Sequence, residues 1–220
     1  MNVNIRGTVL KNLNPELLEF FCKNYKPGLI GMVGTNDKIG HAIRRGQRRM
    51  SDGKPSWWSH CFIMGQKRLD FRCPGETPVE TIYLFESDIK LNIEHMQIRN
   101  GAQENWLGKW CETKVEHAAV IDFGLNLFQE QIVLASALQM ISDDVMYPIG
   151  GLFHTWLAIQ LHKFGFKNPL AGLHALFCSS YTRRCYQSAG ADFLSKDIDL
   201  WNTTPEHIAQ AGKDKMILWK

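Results

Sequence analysis

Cys178 stands at a position in the chain where a cysteine thiol would be chemically active. It follows an apolar segment ending in Leu176-Phe177 and opens a segment that predicts a helix ending at Gly190. The first turn of a helix presents unpaired backbone N–H groups and the positive end of the helix dipole. Both favour the thiolate, which is the form of cysteine that attacks electrophiles. Cys178 is therefore the candidate nucleophile.

A histidine and a glutamate on two predicted strands supply the partners that a cysteine nucleophile needs. A thiolate needs an imidazole beside it, and the imidazole needs an orienting group on its other nitrogen. His60 lies near the beginning of the predicted strand 57–65, and Glu86 ends the predicted strand 81–86. If these strands pair as a hairpin centred on residues 73–75, His60 lies directly opposite Glu86.

The residue types alone leave other interpretations of this constellation open. Six cysteines and eight histidines allow many pairings, and a cysteine–histidine pair taken at random is usually structural. Asp70, Asp88 or a backbone carbonyl could orient the histidine. Cys185 follows Cys178 by nearly two helical turns, and we expect it to pack rather than to react.

Four short motifs occur in an order that resembles one group of cysteine enzymes. The motifs are Lys26-Pro27-Gly28-Leu29-Ile30, Ser59-His60-Cys61-Phe62-Ile63-Met64-Gly65, Leu84-Phe85-Glu86-Ser87, and Phe177-Cys178-Ser179-Ser180-Tyr181 with Tyr147 before it and Gly190 and Thr204-Pro205 after it. The set is similar to the circularly permuted NlpC-type papain-like hydrolases, the YiiX-like group. Leu29 stands where that family has aspartate, and Ser180 where many members have glutamate.

The resemblance implies a cysteine peptidase, amidase or acyltransferase that acts on an amide, peptide, ester or thioester carbonyl through an acyl-enzyme. Cys178 would be the nucleophile, His60 the general base and Glu86 the orienting carboxylate. No metal or other cofactor is expected. The residues expected to contact the substrate are Tyr147, Ser179 and Ser59.

The implied fold is α+β, a permuted papain-like domain with an antiparallel β-sheet packed against helices and the nucleophile at a helix N-terminus. We expect a single domain over residues 1–220 with a core from about 26 to 219. The N-terminal helix 14–25 and an insertion at 92–144 would decorate this core. The sequence also predicts strands at 29–33, 93–97, 114–123 and 215–219, helices at 37–50, 126–141 and 152–166, and a polar, tryptophan-bearing connection at 103–111.

Composition and charge restrict the class of protein. With 45% hydrophobic and 21% charged residues, the chain is typical of a globular protein, and its net charge of +3 is too small to require a nucleic-acid partner. The N-terminus has no apolar signal core, and no apolar run is long enough for a membrane span. These features predict a cytoplasmic protein with a peptide, amide or acyl substrate, and they leave peripheral lipid contact open.

A binding function without catalysis is the alternative hypothesis. An inactive version of the same fold could bind a peptide, a lipid or a nucleic acid through an aromatic cleft and the basic helix 37–50, which contains Arg44-Arg45-Gly46-Gln47-Arg48-Arg49. A solvated helix face is the plainer interpretation of this cluster, because no aromatic residues are interleaved with the arginines to stack on bases.

Overall fold

The computed structural model describes residues 3–5, 8–10, 13–49, 52–70, 79–92, 97–146 and 177–219. Over these residues the protein has an α+β architecture, in which a six-stranded antiparallel sheet packs with helices. Of the helices in the described ranges, none is both long and apolar enough to cross a bilayer.

Eight strands are present in the described chain. β1 and β2 pair only with each other, and the other six form one sheet in the order β6-β5-β4-β3-β7-β8, with every neighbouring pair antiparallel. β3 and β4 therefore lie at the centre of the sheet. The bounds are β1 (Val3–Ile5), β2 (Thr8–Leu10), β3 (Ile30–Thr35), β4 (His60–Asp70), β5 (Val79–Asn92), β6 (Gln97–Trp106), β7 (Val115–Ile121) and β8 (Met216–Leu218).

Four of the five helices in the described ranges begin at a side-chain cap, and the helix that begins at Cys178 does not. They are α1 (Pro15–Lys23), α2 (Lys38–Gly46), α3 (Leu127–Ser142), α4 (Cys178–Ser188) and α5 (Pro205–Ala211). At α1 the Asn14 side chain accepts from the backbone N–H of Leu17 at 3.2 Å, and a proline fills the first helical position. Capping boxes begin α3 and α5. The predicted helices 14–25 and 37–50 are confirmed with shorter ends, and the predicted helix 126–141 is confirmed with a shift of one residue.

Apolar clusters cover both faces of the sheet. Alternate residues of a strand point to opposite faces, so Met32 and Ile63 join one cluster, while Val33 and Phe62 join the other. The first cluster contains the buried side chains of α3 and α4, and the second contains those of α1 and of the 3-10 turn Leu107–Trp110. The helix that starts at Cys178 is therefore packed against the sheet.

The segment predicted as an insertion supplies two strands of the sheet. β6 pairs with β5 and β7 pairs with β3, so residues 97–121 are not peripheral to the sheet. The predicted polar connection at 103–111 is wrong for residues 103–106, which belong to β6. The pairing of this strand with β5 rests on backbone hydrogen bonds, which do not require an apolar sequence pattern.

Some predictions lie outside the described residues. They are the hairpin turn at 73–75, most of the strand at 93–97, the substrate-contacting Tyr147, and the helix at 152–166.

Candidate active site

Cys178 is the first residue of α4, as the sequence predicts. Phe177 precedes the helix in an extended conformation, with φ −69° and ψ 165°, and has no side-chain acceptor with which to cap it. The backbone N–H of Cys178 has no partner within the helix, because the first turn of a helix leaves its donors unpaired. The cysteine is 5% exposed, so its thiol feels these dipoles in a largely dehydrated setting.

His60 is the first residue of β4, one of the two central strands of the sheet. It stands opposite Val33 of β3, and the backbone N–H of Ser59 donates to the Val33 carbonyl at 2.9 Å. The imidazole is 6% exposed, and its Nε2 donates to Oε2 of Glu86 at 2.7 Å. The strand position thus directs one ring nitrogen at the carboxylate.

The two strands pair antiparallel as predicted, but their register differs from the expected one. Ile63 stands opposite Phe85 and Met64 opposite Leu84, so continuing this register would place Asp88, not Glu86, across from His60. Asp70 already stands opposite Val79 and not opposite residue 76, and a bulge between Met64 and Lys67 then changes the pairing by one residue. The His60 and Glu86 side chains still meet because residues on one face of adjacent strands contact diagonally.

Glu86 is fully buried and its carboxylate accepts four hydrogen bonds. His60 and the indole N–H of Trp110 donate to Oε2, each at 2.7 Å, while Asn105 donates to Oε1 at 2.6 Å and the Lys109 ammonium also donates to Oε1. Burial would raise the pKa of this carboxyl, but the Lys109 charge and the bond from His60 outweigh burial and lower the pKa to about 2. Glu86 is therefore ionised.

Trp110 also covers the imidazole. Its ring stacks on His60 with centroids 4.4 Å apart and an interplanar angle of 25°. The indole therefore shields the His60–Glu86 hydrogen bond from water. Sequence reasoning missed Trp110, Lys109 and Asn105, although the segment 103–111 was noted as polar and tryptophan-bearing. Only the pairing of β6 with β5 brings this segment to Glu86.

Cys178 is the other polar partner of the His60 ring, through its charge and a hydrogen bond. Because Nε2 donates to Glu86, Nδ1 is the ring nitrogen available to the sulfur. Burial would lower the pKa of His60, but the negative charge and hydrogen bond of Cys178, together with those of Glu86, raise the pKa to about 10. At neutral pH this ring is an imidazolium held between two anions.

Cys61 is a third neighbour of the Cys178 sulfur. A hydrogen bond from the Cys61 thiol lowers the pKa of Cys178; burial raises it, and the charge and hydrogen bond of His60 lower it again. The pKa of Cys178 ends well below its ordinary value, while that of Cys61 is raised well above it by burial and by the neighbouring thiolate. Cys61 Sγ also lies 3.7 Å from Thr182 Oγ1.

Cys178 differs from the other described cysteines, all of which are free thiols. Burial raises the pKa of Cys111 and of Cys185, and both side chains are enclosed in the apolar clusters. Cys22 is exposed on α1, yet its pKa is raised by partial burial and not lowered. The described chain therefore contains one thiol whose environment favours the thiolate.

The hydroxyls of the two serines predicted to contact substrate make hydrogen bonds to backbone groups of the protein. Ser59 Oγ accepts from the Thr35 backbone N–H at 3.0 Å, and Ser179 Oγ donates to the Thr203 carbonyl at 2.6 Å. Both serines are buried. These hydroxyls hold the segment before His60 and the start of α4 in place.

The alternative orienting groups lie elsewhere. Asp70 accepts from the Tyr83 hydroxyl at 2.7 Å, and Asp88 binds Lys109. The carboxylate that contacts His60 is Glu86. No group of three histidine, cysteine, aspartate or glutamate side chains in the described ranges is arranged to hold a metal ion.

Most arginines of the predicted basic helix have partners within the protein. Arg44 pairs with Glu116 at 2.7 Å, Arg48 donates to the Gly53 carbonyl at 3.3 Å, and Arg49 pairs with Asp52 at 2.9 Å. These contacts fix the end of α2 to neighbouring segments.

Neither the family models nor the curated proteins compared with this chain match it. The chemistry of the site therefore has to be argued from its own geometry. A thiolate at a helix N-terminus, an imidazolium beside it and a buried carboxylate behind the imidazole form an arrangement suited to nucleophilic attack and proton transfer.

Proposed function

We propose that this protein is a cysteine-dependent hydrolase or acyltransferase with a circularly permuted papain-like fold. Its substrates are amide, peptide, ester or thioester carbonyls, and the reaction proceeds through an acyl-enzyme on Cys178. The chain order supports the permutation, because His60 and Glu86 precede the nucleophile and its helix. A cytoplasmic location would keep the nucleophilic thiol reduced.

One observation carries this proposal: the His60 ring lies between two acidic partners. Nε2 donates to Glu86 at 2.7 Å, and Cys178 is the other charged and hydrogen-bonding partner of the ring. An imidazole that serves only to stabilise the fold would not need a thiolate and a carboxylate on its two nitrogens. The same arrangement is what a cysteine nucleophile requires of its base.

In the first half of the reaction the Cys178 thiolate attacks the substrate carbonyl carbon. The S–C bond forms while the carbonyl π pair moves to oxygen, where the backbone N–H of Cys178 at the start of α4 can donate to the oxyanion. The tetrahedral intermediate then collapses and expels the leaving group. His60 gives its Nδ1 proton to that leaving group, which departs as an amine, alcohol or thiol.

In the second half the now neutral His60 acts as a base. It takes a proton from water, or from the hydroxyl or amine of an acceptor, as that nucleophile attacks the thioester carbonyl. Collapse breaks the S–C bond and restores the thiolate beside a protonated imidazole. Glu86 holds the ring in the same orientation through both halves, because Asn105, Lys109 and Trp110 fix its carboxylate.

Site-resolved alkylation with an iodoacetamide probe at pH 6 tests the activated thiolate. We expect Cys178 to react about tenfold faster than Cys22, although Cys22 is exposed and Cys178 is buried, because the pKa of Cys178 is lowered whereas that of Cys22 is raised. His60→Ala should remove this advantage while leaving the rate at Cys22 unchanged. Mass spectrometry of the modified peptides measures both rates in one sample.

Activity-based profiling with a panel of acyl and peptidyl electrophiles then tests the reaction class. Wild-type protein should form a covalent adduct with at least one member, and Cys178→Ala should form none. Equal alkylation at Cys22 and Cys178, or a rate at Cys178 that is unaffected by His60→Ala, would contradict the proposal. A binding module without catalysis would give that result, together with a silent Cys178→Ala.

A further inference from the structure

The ammonium of Lys109 lies between two carboxylates next to the candidate triad. Its Nζ contacts Oε1 of Glu86 and is 2.7 Å from Oδ2 of Asp88. The Lys109 side chain is 19% exposed, that of Asp88 is 20% exposed, and Glu86 has no exposure. A lysine in such a place is costly to bury unless its charge is paired, so its position has to be explained by the groups it binds.

Charges alternate in sign along a chain of contacts that ends at the nucleophile. Asp88 is negative, Lys109 is positive and Glu86 is negative. His60 is then positive and Cys178 negative. Every member contacts a neighbour of opposite charge. This order keeps each buried ion compensated while leaving a thiolate at the end of the chain.

The two oxygens of Glu86 have separate tasks. Oε2 receives the His60 and Trp110 donors, whereas Oε1 receives Asn105 and Lys109. A carboxylate with donors on both oxygens cannot rotate away from the histidine without losing a charged hydrogen bond. Lys109 is the one ammonium among the four donors to Glu86. Its Nζ also donates to Oδ2 of Asp88, which holds the ammonium in place.

We infer that Lys109 is a positioning residue for the candidate active site, which holds Glu86 on His60 and compensates its charge, with Asp88 as its anchor. This inference rests on the function proposed above, because it concerns the same triad. Lys109 does not touch the reacting atoms. It acts through Glu86 and His60 on the ionisation of Cys178.

Other charged or titratable groups near Glu86 do not replace Lys109. His60 and Cys61 face it from β4, and Tyr181 faces it from α4. Among these groups only the protonated imidazole is a cation. Losing Lys109 would leave the surroundings of the thiolate more negative by one charge and Glu86 less firmly held. Both effects raise the pKa of Cys178.

The test is the pH profile of Cys178 alkylation by iodoacetamide, measured site by site. In Lys109→Met the acid limb of the profile should move to higher pH by about one unit, with an approximately tenfold lower rate at pH 6. Lys109→Arg should restore most of that rate, because it returns a cation that can bind both carboxylates. A residue that is only structural would not move the acid limb.

Lys114→Met is the matched control. Lys114 also lies over the Trp110 ring, at 5.9 Å from its centroid, but pairs with Glu112 and is 41% exposed. The acid limb of the Cys178 alkylation profile in Lys114→Met should coincide with that of the wild type. An unshifted limb in a folded Lys109→Met protein, or an equal shift in Lys114→Met, would overturn the inference.

A second readout separates this inference from the proposed function. If wild-type Cys178 alkylates no faster than Cys22, the proposed function fails, and the positioning role is then measured in Cys178→Ala by NMR. The Nε2 proton of His60, bonded to Glu86 and covered by Trp110, should give a low-field resonance that exchanges slowly with water. Adding Lys109→Met should broaden or remove it, and adding Lys114→Met should not. Its persistence with Lys109→Met would overturn the positioning role.

Discussion

At the scale of single residues, the chemistry of the site depends on where one proton is held. The Cys178 sulfur has hydrogen bonds from Cys61 and His60, and the imidazole is supported from behind by Glu86. Burial by itself would neutralise both members of the thiol–imidazole pair. The neighbours outweigh it, so the proton that would sit on sulfur in an ordinary cysteine sits on the ring.

The pH dependence of stability follows from this proton transfer. The pKa of His60 is raised from 6.5 to about 10. The stability that its protonated ring contributes is therefore fully present below pH 6.5 and is lost as pH rises to about 10. Cys178 has its pKa lowered from 9.0, so its contribution is present above pH 9 and is lost as pH falls. Between pH 6.5 and pH 9 the two dependences cancel.

We therefore expect a plateau in the stability that the ion pair contributes. The difference in free energy of unfolding between wild type and Cys178→Ala should be constant from about pH 6.5 to pH 9 and should shrink on both sides. Urea titrations at a series of pH values measure this difference. A difference that stayed constant below pH 6.5 and shrank only above pH 9 would indicate a neutral thiol in the folded protein.

Cys61 gives a second prediction at the residue scale. Cys61→Ala removes the thiol that donates to the Cys178 sulfur, so the pKa of Cys178 should rise and its alkylation rate at pH 6 should fall several-fold. Cys185→Ala is the control. The Cys185 thiol is buried like that of Cys61, but Cys178 is not among the groups that shift its pKa. Equal effects of the two substitutions would point to loss of packing instead.

At the scale of elements, α4 is held by a buried arginine as well as by the sheet. Arg183 is 1% exposed, and its guanidinium makes a two-point contact with Asp192 at 2.9 and 3.0 Å. It also donates to the carbonyls of Ser195 and Ile198 and to the hydroxyl of Thr203. One side chain thus ties the segment after α4 back onto the helix that carries the nucleophile.

Arg183→Leu should lower the free energy of unfolding by about 3 kcal/mol, because it leaves a carboxylate and two carbonyls without their donor. Urea unfolding measures the loss. The adjacent Arg184 is exposed, so Arg184→Leu should change stability by less than about 0.5 kcal/mol. Similar losses for the two variants would show that the guanidinium contacts do not hold α4.

At the scale of the whole molecule, the site needs the sheet and α4 to be joined. β4 and β5 provide His60 and Glu86, α4 provides Cys178, and the turn after β6 provides Lys109 and Trp110. Cys61 and Cys178 belong to the apolar cluster that α4 shares with the sheet. The reactive thiolate should therefore exist only while this shared cluster is intact.

Loss of thiolate reactivity should coincide with global unfolding. We expect the rapid alkylation of Cys178 and the tryptophan fluorescence to change at the same urea concentration, because both depend on one cooperative structure. Cys22, which is exposed on α1, should alkylate at a similar rate on both sides of the transition. An earlier loss at Cys178 would contradict this expectation and show that α4 separates from the sheet before the sheet unfolds.

The local features of this protein could be predicted from its sequence. Asn14-Pro15 begins α1, Asn126 with Gln129 begins α3, and Cys178 opens α4 at the position predicted. Caps and apolar spacing act within a few residues, so they are readable without the fold. The pairing of the strands that carry His60 and Glu86 was also predicted, but with the wrong register.

By itself the sequence determined which residue types could do the chemistry and where the helices start, and it offered a hairpin of the histidine and glutamate strands as a hypothesis. Only the tertiary structure decided the bulged register of β4 with β5, the place of β6 and β7 in the sheet, and the arrival of Lys109 and Trp110 at Glu86. The physical reason is range: caps and periodicity are local, whereas strand order and register are set by backbone pairing between distant segments. The donors that hold Glu86 depend on that pairing.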